Sequence, residues 1–365
     1  MKRTITIIAM AALIFNSNAQ NIVTTETTNK VAIVEEFTGT SCPACPGGHT
    51  TLDGILSANT DRVFGIGYSP TNSSLTGPYN GGLDLTNSFS NVFYTNPYYG
   101  NGDGRAMPTA HINRTKYGGS RKSGTSTWAS RVDGIIAQSS PVNVGLSSTY
   151  NASTDIVDVT VEMYFTSSVT DAAYVTVLLL ENDIITTQSG ATGNYTHKHV
   201  MRANLQTGQW GDALTGTTNQ GDLVTMTFSY DNSTTNYVID NSDIVAFVST
   251  GTDDASEILS GFQVHANGGS GSVSGIEGLA MNQGSLTIFP NPTNDELNIL
   301  VSENINDAEL SIYSITGDVL HTKNINGKSD PLVTFYTGDI GLSSGTYFVS
   351  LLSDNNRVVK KFVVR

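Results

Sequence analysis

The chain has 365 residues, 38% hydrophobic and 14% charged, with a formal net charge of -14. That length asks for two or three hydrophobic cores, and its wealth of Gly, Ser, Thr and Asn suits strands and tight turns rather than a disordered chain. A surface this acidic repels phosphate backbones, which excludes nucleic acid as an expected partner.

The chain starts with Met1-Lys2-Arg3, an apolar run over 5–15 and then Ser17-Asn18-Ala19, the small residues read by a signal peptidase. This predicts a signal peptide over 1–19 and a mature N-terminus at Gln20. The alternative, an uncleaved membrane anchor, needs a longer apolar run. No Cys follows Ala19 to carry a lipid, and no later stretch is apolar for long enough to span a bilayer. The mature chain is therefore expected to have no transmembrane span.

Residues 20–140 mix strands and helices. A buried strand is expected over 31–37, a helix over 43–56, and further strands over 62–68 and 108–113. Residues 70–104, rich in Gly, Asn and Tyr, read as a long insertion with a short helix near 85–94. Trp128, Val132, Ile135 and Ile136 then fall at i, i+4, i+7 and i+8, the apolar stripe of a helix over 127–138 lying on a sheet. From 141 to 265 the pattern becomes all-β, with strands over 142–146, 156–165, 173–181, 223–230 and 244–249. The alternation of Val157-Asp158-Val159-Thr160-Val161-Glu162 marks one buried and one wet face, and a β-sandwich of Ig-like type is the natural reading. Residues 266–283 read as a Gly- and Ser-rich linker. Short strands at regular spacing fill 284–365, a small third domain.

The chain has two cysteines, Cys42 and Cys45, three positions apart and next to an expected helix start. Helix-end N–H groups stabilise a thiolate, so Cys42 is expected to be the attacking thiol, partly exposed, and Cys45 the more buried resolving one. The other reading of the pair is an inert disulfide that staples a turn. Pro46-Gly47-Gly48 directly after Cys45 is expected to disturb the second turn of the helix.

Weaker candidates surround this motif. Cys42, Cys45 and His49 at i, i+3 and i+7 could offer three ligands to a soft metal, but a fourth is missing. His197 and His199 alternate by two and read as a polar surface strand. Asn101-Gly102-Asp103-Gly104 lacks the repeated acids of a calcium loop and reads as a turn. No metal site and no cofactor is expected.

Two resemblances add to this reading. Pro290-Asn291-Pro292, Gly317, Gly345-Thr346-Tyr347 and the basic, apolar terminus Lys360-Lys361-Phe362-Val363-Val364-Arg365 resemble, in order, the type A sorting domain of the type IX secretion system. That resemblance implies export from a Gram-negative bacterium, docking of 284–365 on the secretion machinery, and later removal of this domain. The alternative is an ordinary adhesive β-domain. Glu36-Phe37-Thr38-Gly39, Cys42 to Cys45, Met107-Pro108, Ile112-Asn113-Arg114 and the run from Tyr195 to Arg202 resemble the outer-membrane-protein-28-related family, whose members combine a thioredoxin-like part with a β-rich part. The thioredoxin-like resemblance implies that Pro108 is a cis-proline facing the cysteines and that Met107 packs on the sulfurs. The expected architecture is thus an α/β thioredoxin-like domain, a β-sandwich and a small all-β sorting domain. The expected site is Cys42, Cys45, Met107 and Pro108, acting on a protein thiol or disulfide. A surface binding or adhesion protein that keeps the fold as a scaffold is the rival.

Overall fold

The computed structural model describes residues 22–95, 106–235, 237–272, 286–301, 307–314, 319–326, 331–353 and 356–365. The expected signal peptide and its cleavage point, the Asn101–Gly104 turn, most of the linker and Gly317 lie outside these residues. The described residues up to 272 form one compact unit and those from 286 a second. Among the described residues no helix is long and apolar enough to cross a membrane.

The first unit begins as the sequence suggests, with β1 (Ala32–Phe37), α1 (Cys45–Ala58), β2 (Val63–Tyr68), the five-residue α2 (Asn91–Thr95), β3 (Thr109–Ile112) and α3 (Trp128–Ile136). β1 pairs parallel with β2 and antiparallel with β3. Alternation then splits β1 between two cores. Ala32 and Val34 face Leu52 and Ile55 of α1 and Trp128, Val132 and Ile135 of α3. Ile33 and Phe37 face the opposite side, where Phe89 and Phe93 of the insertion join the larger core.

The all-β part contributes β4 (Val142–Asn151), β5 (Ile156–Phe165), β6 (Ala173–Glu181), β7 (Ile184–Thr187), β8 (Asn194–His197), β9 (Val200–Asn204), β10 (Asp212–Ala213), β11 (Leu223–Asp231), β12 (Ser242–Thr250), β13 (Glu257–His265) and β14 (Ser270–Ser272). β5 and β6 occupy the expected ranges, whereas β7, β8, β9, β13 and β14 were not legible from the pattern.

The expected sandwich is present, but its strands do not form a separate body. One sheet runs β13-β12-β6-β9-β2-β1-β3, with β10 on the side of β6, so strands from before and after position 140 are hydrogen-bonded neighbours through β2 and β9. The second sheet runs β11-β5-β4-β14 and packs its Val144, Leu146, Val159, Val161 and Met163 into the same core. The start of the expected linker is also ordered, since β14 pairs with β4 and Ala266 is buried.

Two polar stitches hold the halves of this unit together. Asn113, fully buried, accepts from the Ile33 N–H and donates to the carbonyls of Val31 and Ile258. Arg114 forms a two-pronged pair with Glu35, with N–O distances of 2.9 and 2.7 Å, and also donates to Ser256 Oγ. Its guanidinium lies 4.6 Å from the Phe93 ring centre and 5.2 Å from that of Phe247. A buried charge is tolerated only when paired and hydrogen-bonded, and Arg114 meets both conditions.

The second unit is a sandwich of β15 (Leu286–Phe289), β16 (Glu296–Val301) and β19 (Leu332–Tyr336) against β18 (Val319–Asn326), β17 (Asp307–Ser314), β20 (Gly345–Ser353) and β21 (Asn356–Val364). It has its own core of Leu297, Ile299, Leu310, Ile312, Val349, Leu351 and Phe362. The Pro-Asn-Pro motif has a clear role in it. Asn291 accepts from the Val363 N–H at 3.0 Å and donates to the Lys361 carbonyl at 3.2 Å, so its amide acts as one more ladder rung beside the last strand.

Candidate functional site

β1 leads through a Gly-containing turn into Cys42-Pro43-Ala44-Cys45, where Cys42 and Cys45 form a disulfide with a Cα–Cα distance of 5.4 Å. The helix begins at Cys45 rather than Pro43. Pro46 therefore lies in the first turn, where a missing N–H costs nothing, and the expected disturbance by Pro46-Gly47-Gly48 does not occur. Cys45 itself sits among the first-turn N–H groups, and its own N–H donates to the Cys42 carbonyl at 3.3 Å.

Gly48 explains the glycine pair. A methyl group there would lie 2.6 Å from Pro108 Cβ and 2.7 Å from Glu36 Oε1, so only glycine lets α1 pass this close. The Met107–Pro108 peptide is cis, and Met107 lies in the same apolar cluster as Cys42 and Cys45. Pro108 thus lies against Gly48, three residues after Cys45, and Met107 shares an apolar cluster with both cysteines.

Cys42 is not partly exposed as expected; it is 1% exposed and Cys45 is 0% exposed. Two loops close over the pair. One spans the insertion, where Ser41 N–H donates to the Leu75 carbonyl at 3.0 Å. The other is the turn between β7 and β8. Gln188 donates to the carbonyls of Cys42 at 2.9 Å and Gly39 at 3.2 Å, and Ser189 N–H donates to the Thr40 carbonyl at 2.8 Å. Gly190, with φ of +83°, rests on the Pro43 carbonyl so closely that a side chain would collide with it.

Behind the helix lies a group that the sequence reading did not single out. Glu36 points to the α1 side of the sheet and is 2% exposed. Burial, and secondarily the negative charge of Asp53, raises its pKa well above the usual carboxylate value. No protein group bonds its Oε1. Cys45 and Gly48 are three apart and share a helix face, so the Glu36 carboxyl lies toward the side of α1 that carries Cys45. The signal was visible: two adjacent acids in an otherwise apolar strand must face opposite sides, and Glu35 is satisfied by Arg114 while Glu36 has no such cation.

Three histidines complete the surroundings. His49 is hydrogen-bonded to Thr38 Oγ1 at 2.7 Å and to Tyr195 OH at 2.8 Å. Burial above all, with His197 nearby, lowers its pKa to about 4. His197, expected on a wet surface, is instead 6% exposed, and burial lowers its pKa to about 4 as well. Burial also lowers that of His199. His49 has turned away from the cysteines toward the β8 side, which removes the metal reading that joined it to Cys42 and Cys45. Among the described residues no group of three or more His, Cys, Asp or Glu is placed to hold a metal ion.

Comparison with known proteins bears on the fold, and the body's family model begins after Cys42 and Cys45. Residues 95–265 match the family model of the outer membrane protein Omp28, and residues 287–365 match that of the secretion system C-terminal sorting domain. No curated protein matches the chain. Among solved structures, HBP35 of Porphyromonas gingivalis is 20% identical with a TM-score of 0.52, covering 93% of this chain and 100% of that one. Protein AGR_C_4864 of Agrobacterium tumefaciens is 16% identical with a TM-score of 0.43, covering 70% of this chain and 99% of its own. The chain thus joins an Omp28-like, thioredoxin-related body to a C-terminal secretion sorting domain.

Proposed function

We propose that the first unit of this exported protein exchanges electrons with protein thiols through Cys42 and Cys45. Its sorting domain delivers it to the outer membrane or cell surface of a Gram-negative bacterium. The observation that carries the chemical reading is Glu36. A buried carboxyl without a cation is costly to keep, and such groups concentrate where a proton must be moved. A static disulfide needs no proton, but a reversible one does.

In the oxidised pair, a partner thiolate attacks Cys42 Sγ and the Cys42–Cys45 bond breaks. Cys45 leaves as a thiolate, favoured by the first-turn N–H groups, and takes its proton from Glu36. The partner's second thiol then attacks its own sulfur in the mixed disulfide and expels Cys42. Two electrons have passed to the cysteine pair, and the partner leaves with a new disulfide. In this reading Met107, from the same apolar cluster as the cysteines, and Pro108, against Gly48, receive the partner's chain.

The closed position of both sulfurs favours one rival, in which the disulfide staples a binding surface. Replacing Cys45 with Ser distinguishes the two readings. Catalytic chemistry leaves Cys42 able to attack but unable to be resolved, so mixed disulfides accumulate in the host, and Cys42→Ser abolishes them. A pair with a reduction potential below roughly -300 mV, together with no trapped adduct, is the mark of a staple and overturns the proposal.

A further inference from the structure

Glu36 Oε1, His197 Nε2 and His199 Nδ1 are all buried without a protein partner. They come from two places in the sequence 161 positions apart, yet Glu36, His197 and His199 line one cavity of about 30 Å³. A water molecule needs roughly 10–15 Å³ measured in this way and two to four polar partners, so the cavity has room for about two waters. Buried polar atoms that meet no protein group are ordinarily satisfied by such waters.

The cavity also leads outward. Glu36, His49, Leu52, Lys198 and His199 border both it and a neighbouring cleft, which is further lined by Asp53, Tyr195 and Thr196. Asp53 and Lys198 form a salt bridge of 3.1 Å, with side chains 43% and 47% exposed, at the mouth of that cleft. The charged and titratable groups facing Glu36 are therefore His49 and Asp53 from α1, Tyr195 and His197 from β8, and Lys198 and His199 from the β8–β9 link. Held neutral by burial, the imidazoles can both accept and donate a proton.

We propose that ordered water in this cavity links Glu36 to His197 and His199 and returns to Glu36, from solvent at the Asp53–Lys198 mouth, each proton that Glu36 gives to Cys45. The proposal rests on the thiol-exchange reading of Cys42 and Cys45 and assigns the histidines a further part in it. After Cys45 takes its proton, Glu36 is a buried anion, and the same acid can serve again only if a proton reaches it. On this face the cavity is a polar way in, beside the apolar cluster that Leu52 and Ile55 of α1 form with Trp128 of α3.

Two measurements test it. A high-resolution crystal structure of the oxidised full chain should show water within hydrogen-bond distance of both Glu36 Oε1 and His197 Nε2. Repeated turnover, in which an oxidised substrate returns the pair to the disulfide between reductions by dithiothreitol, measured in H₂O and D₂O, should be about tenfold slower in His197→Phe, with a larger solvent isotope effect and an unchanged reduction potential. His197→Asn, which can still bond a water, should recover most of the rate. A dry cavity overturns the proposal. So does a His197→Phe rate and isotope effect equal to wild type while Glu36→Gln still slows the reaction, a result that leaves the thiol-exchange reading standing. If the wild-type pair resists dithiothreitol altogether, both fall together.

Discussion

Glu35 and Glu36 are neighbours in one strand and meet opposite fates, because successive strand residues face opposite sides of a sheet. Glu35 finds Arg114, whereas Glu36 finds helix α1, where burial raises its pKa well above the usual carboxylate value. This difference is measurable as a function of pH. Above the unfolded value near 4.5 the unfolded state loses the Glu36 proton while the folded state retains it, so stability falls as pH rises toward the folded pKa. His49, His197 and His199 act in the opposite sense. Their folded pKa values are lowered, so stability climbs as pH rises from about 4 toward 6.5. Only from about pH 7.5, a unit above the unfolded value, are the histidines close to neutral in both states, and there the Glu36 slope stands alone. Urea unfolding between about pH 7.5 and 9 should show a decline of up to ~1.4 kcal/mol per pH unit, which Glu36→Gln abolishes. A flat wild-type profile would show that Glu36 is ionised in the folded protein. The two adjacent glycines give a paired test. Gly47 has open space around its α-carbon, so Gly47→Ala should stabilise by about 0.5–1 kcal/mol through helix propensity. Gly48→Ala meets Pro108 and Glu36 and should destabilise by about 1–3 kcal/mol. Equal effects from the two would contradict the close approach of α1 to Pro108. Spacing alone made the cysteines legible. The grouping of Glu36 with the histidines was not, because His49 and Tyr195, which bond each other, lie 146 positions apart and no local pattern connects them.

The elements that sequence reading missed are the ones that cover the site. β7 and β8 are four residues each, and Asn194-Tyr195-Thr196-His197 carries no hydrophobic alternation, so the local pattern gave only a polar surface strand near His197 and not a buried hairpin. Its order comes from pairing with β7 and from the ring contacts of Tyr195 and His197 with His49, at centroid distances of 5.6 and 6.2 Å. The resemblance had singled out the run from Tyr195 to Arg202 without giving it a place; its first half is now the wall facing Glu36. The turn of the same hairpin ties Gln188 over Cys42, so the cover on the sulfurs and the wall of the cavity move as one piece. Gln188→Ala removes the side-chain bonds to the Cys42 and Gly39 carbonyls. Each such bond contributes about 0.5–1.5 kcal/mol. If the hairpin must lift before a reductant can reach Cys42, reduction by glutathione should become several-fold faster in this variant. An unchanged rate would mean that the reductant enters from another side, leaving the hairpin outside the access route. The helix start was misjudged for a simpler reason: Pro46 was read as an interruption because the helix was expected to begin at Pro43, and moving the start to Cys45 turns a breaker into a first-turn residue.

At the scale of the whole chain, composition and periodicity distinguished an α/β beginning from an all-β continuation. They did not show that the two share a sheet. The parallel contact of β2 with β9 joins Gly67 to Val200, and such pairing leaves no trace in either strand's own sequence. The Ile112-Asn113-Arg114 run gave a hint, since its buried polar groups reach Val31 and Glu35 on one side and Ser256 and Ile258 on the other. The N-terminal stretch adds a third link, with Asn143 donating to the carbonyls of Thr24 and Glu26 at 2.8 and 2.6 Å. Cutting at 140 would therefore expose the edge of β2 and strip the core from one face of β1, where Ile33 and Phe37 pack with residues of β6 and β12. A fragment of 20–140 should fail to fold, giving no cooperative unfolding transition. A fragment of 20–274 keeps both sheets and every stitch named above, so it should unfold cooperatively at a midpoint within a few degrees of the full chain's first transition. Residues 284–365 have a separate core and should fold alone as well. In the host, deleting 284–365 should then leave a folded first unit stranded in the periplasm, because only the sorting signal has been lost. Circular dichroism of the purified fragments and fractionation of the truncated strain decide this together. A cooperative 20–140 fragment would make the shared sheet dispensable. Arrival of the truncated protein at the cell surface in normal amounts would reduce the last domain to an ordinary β-sandwich.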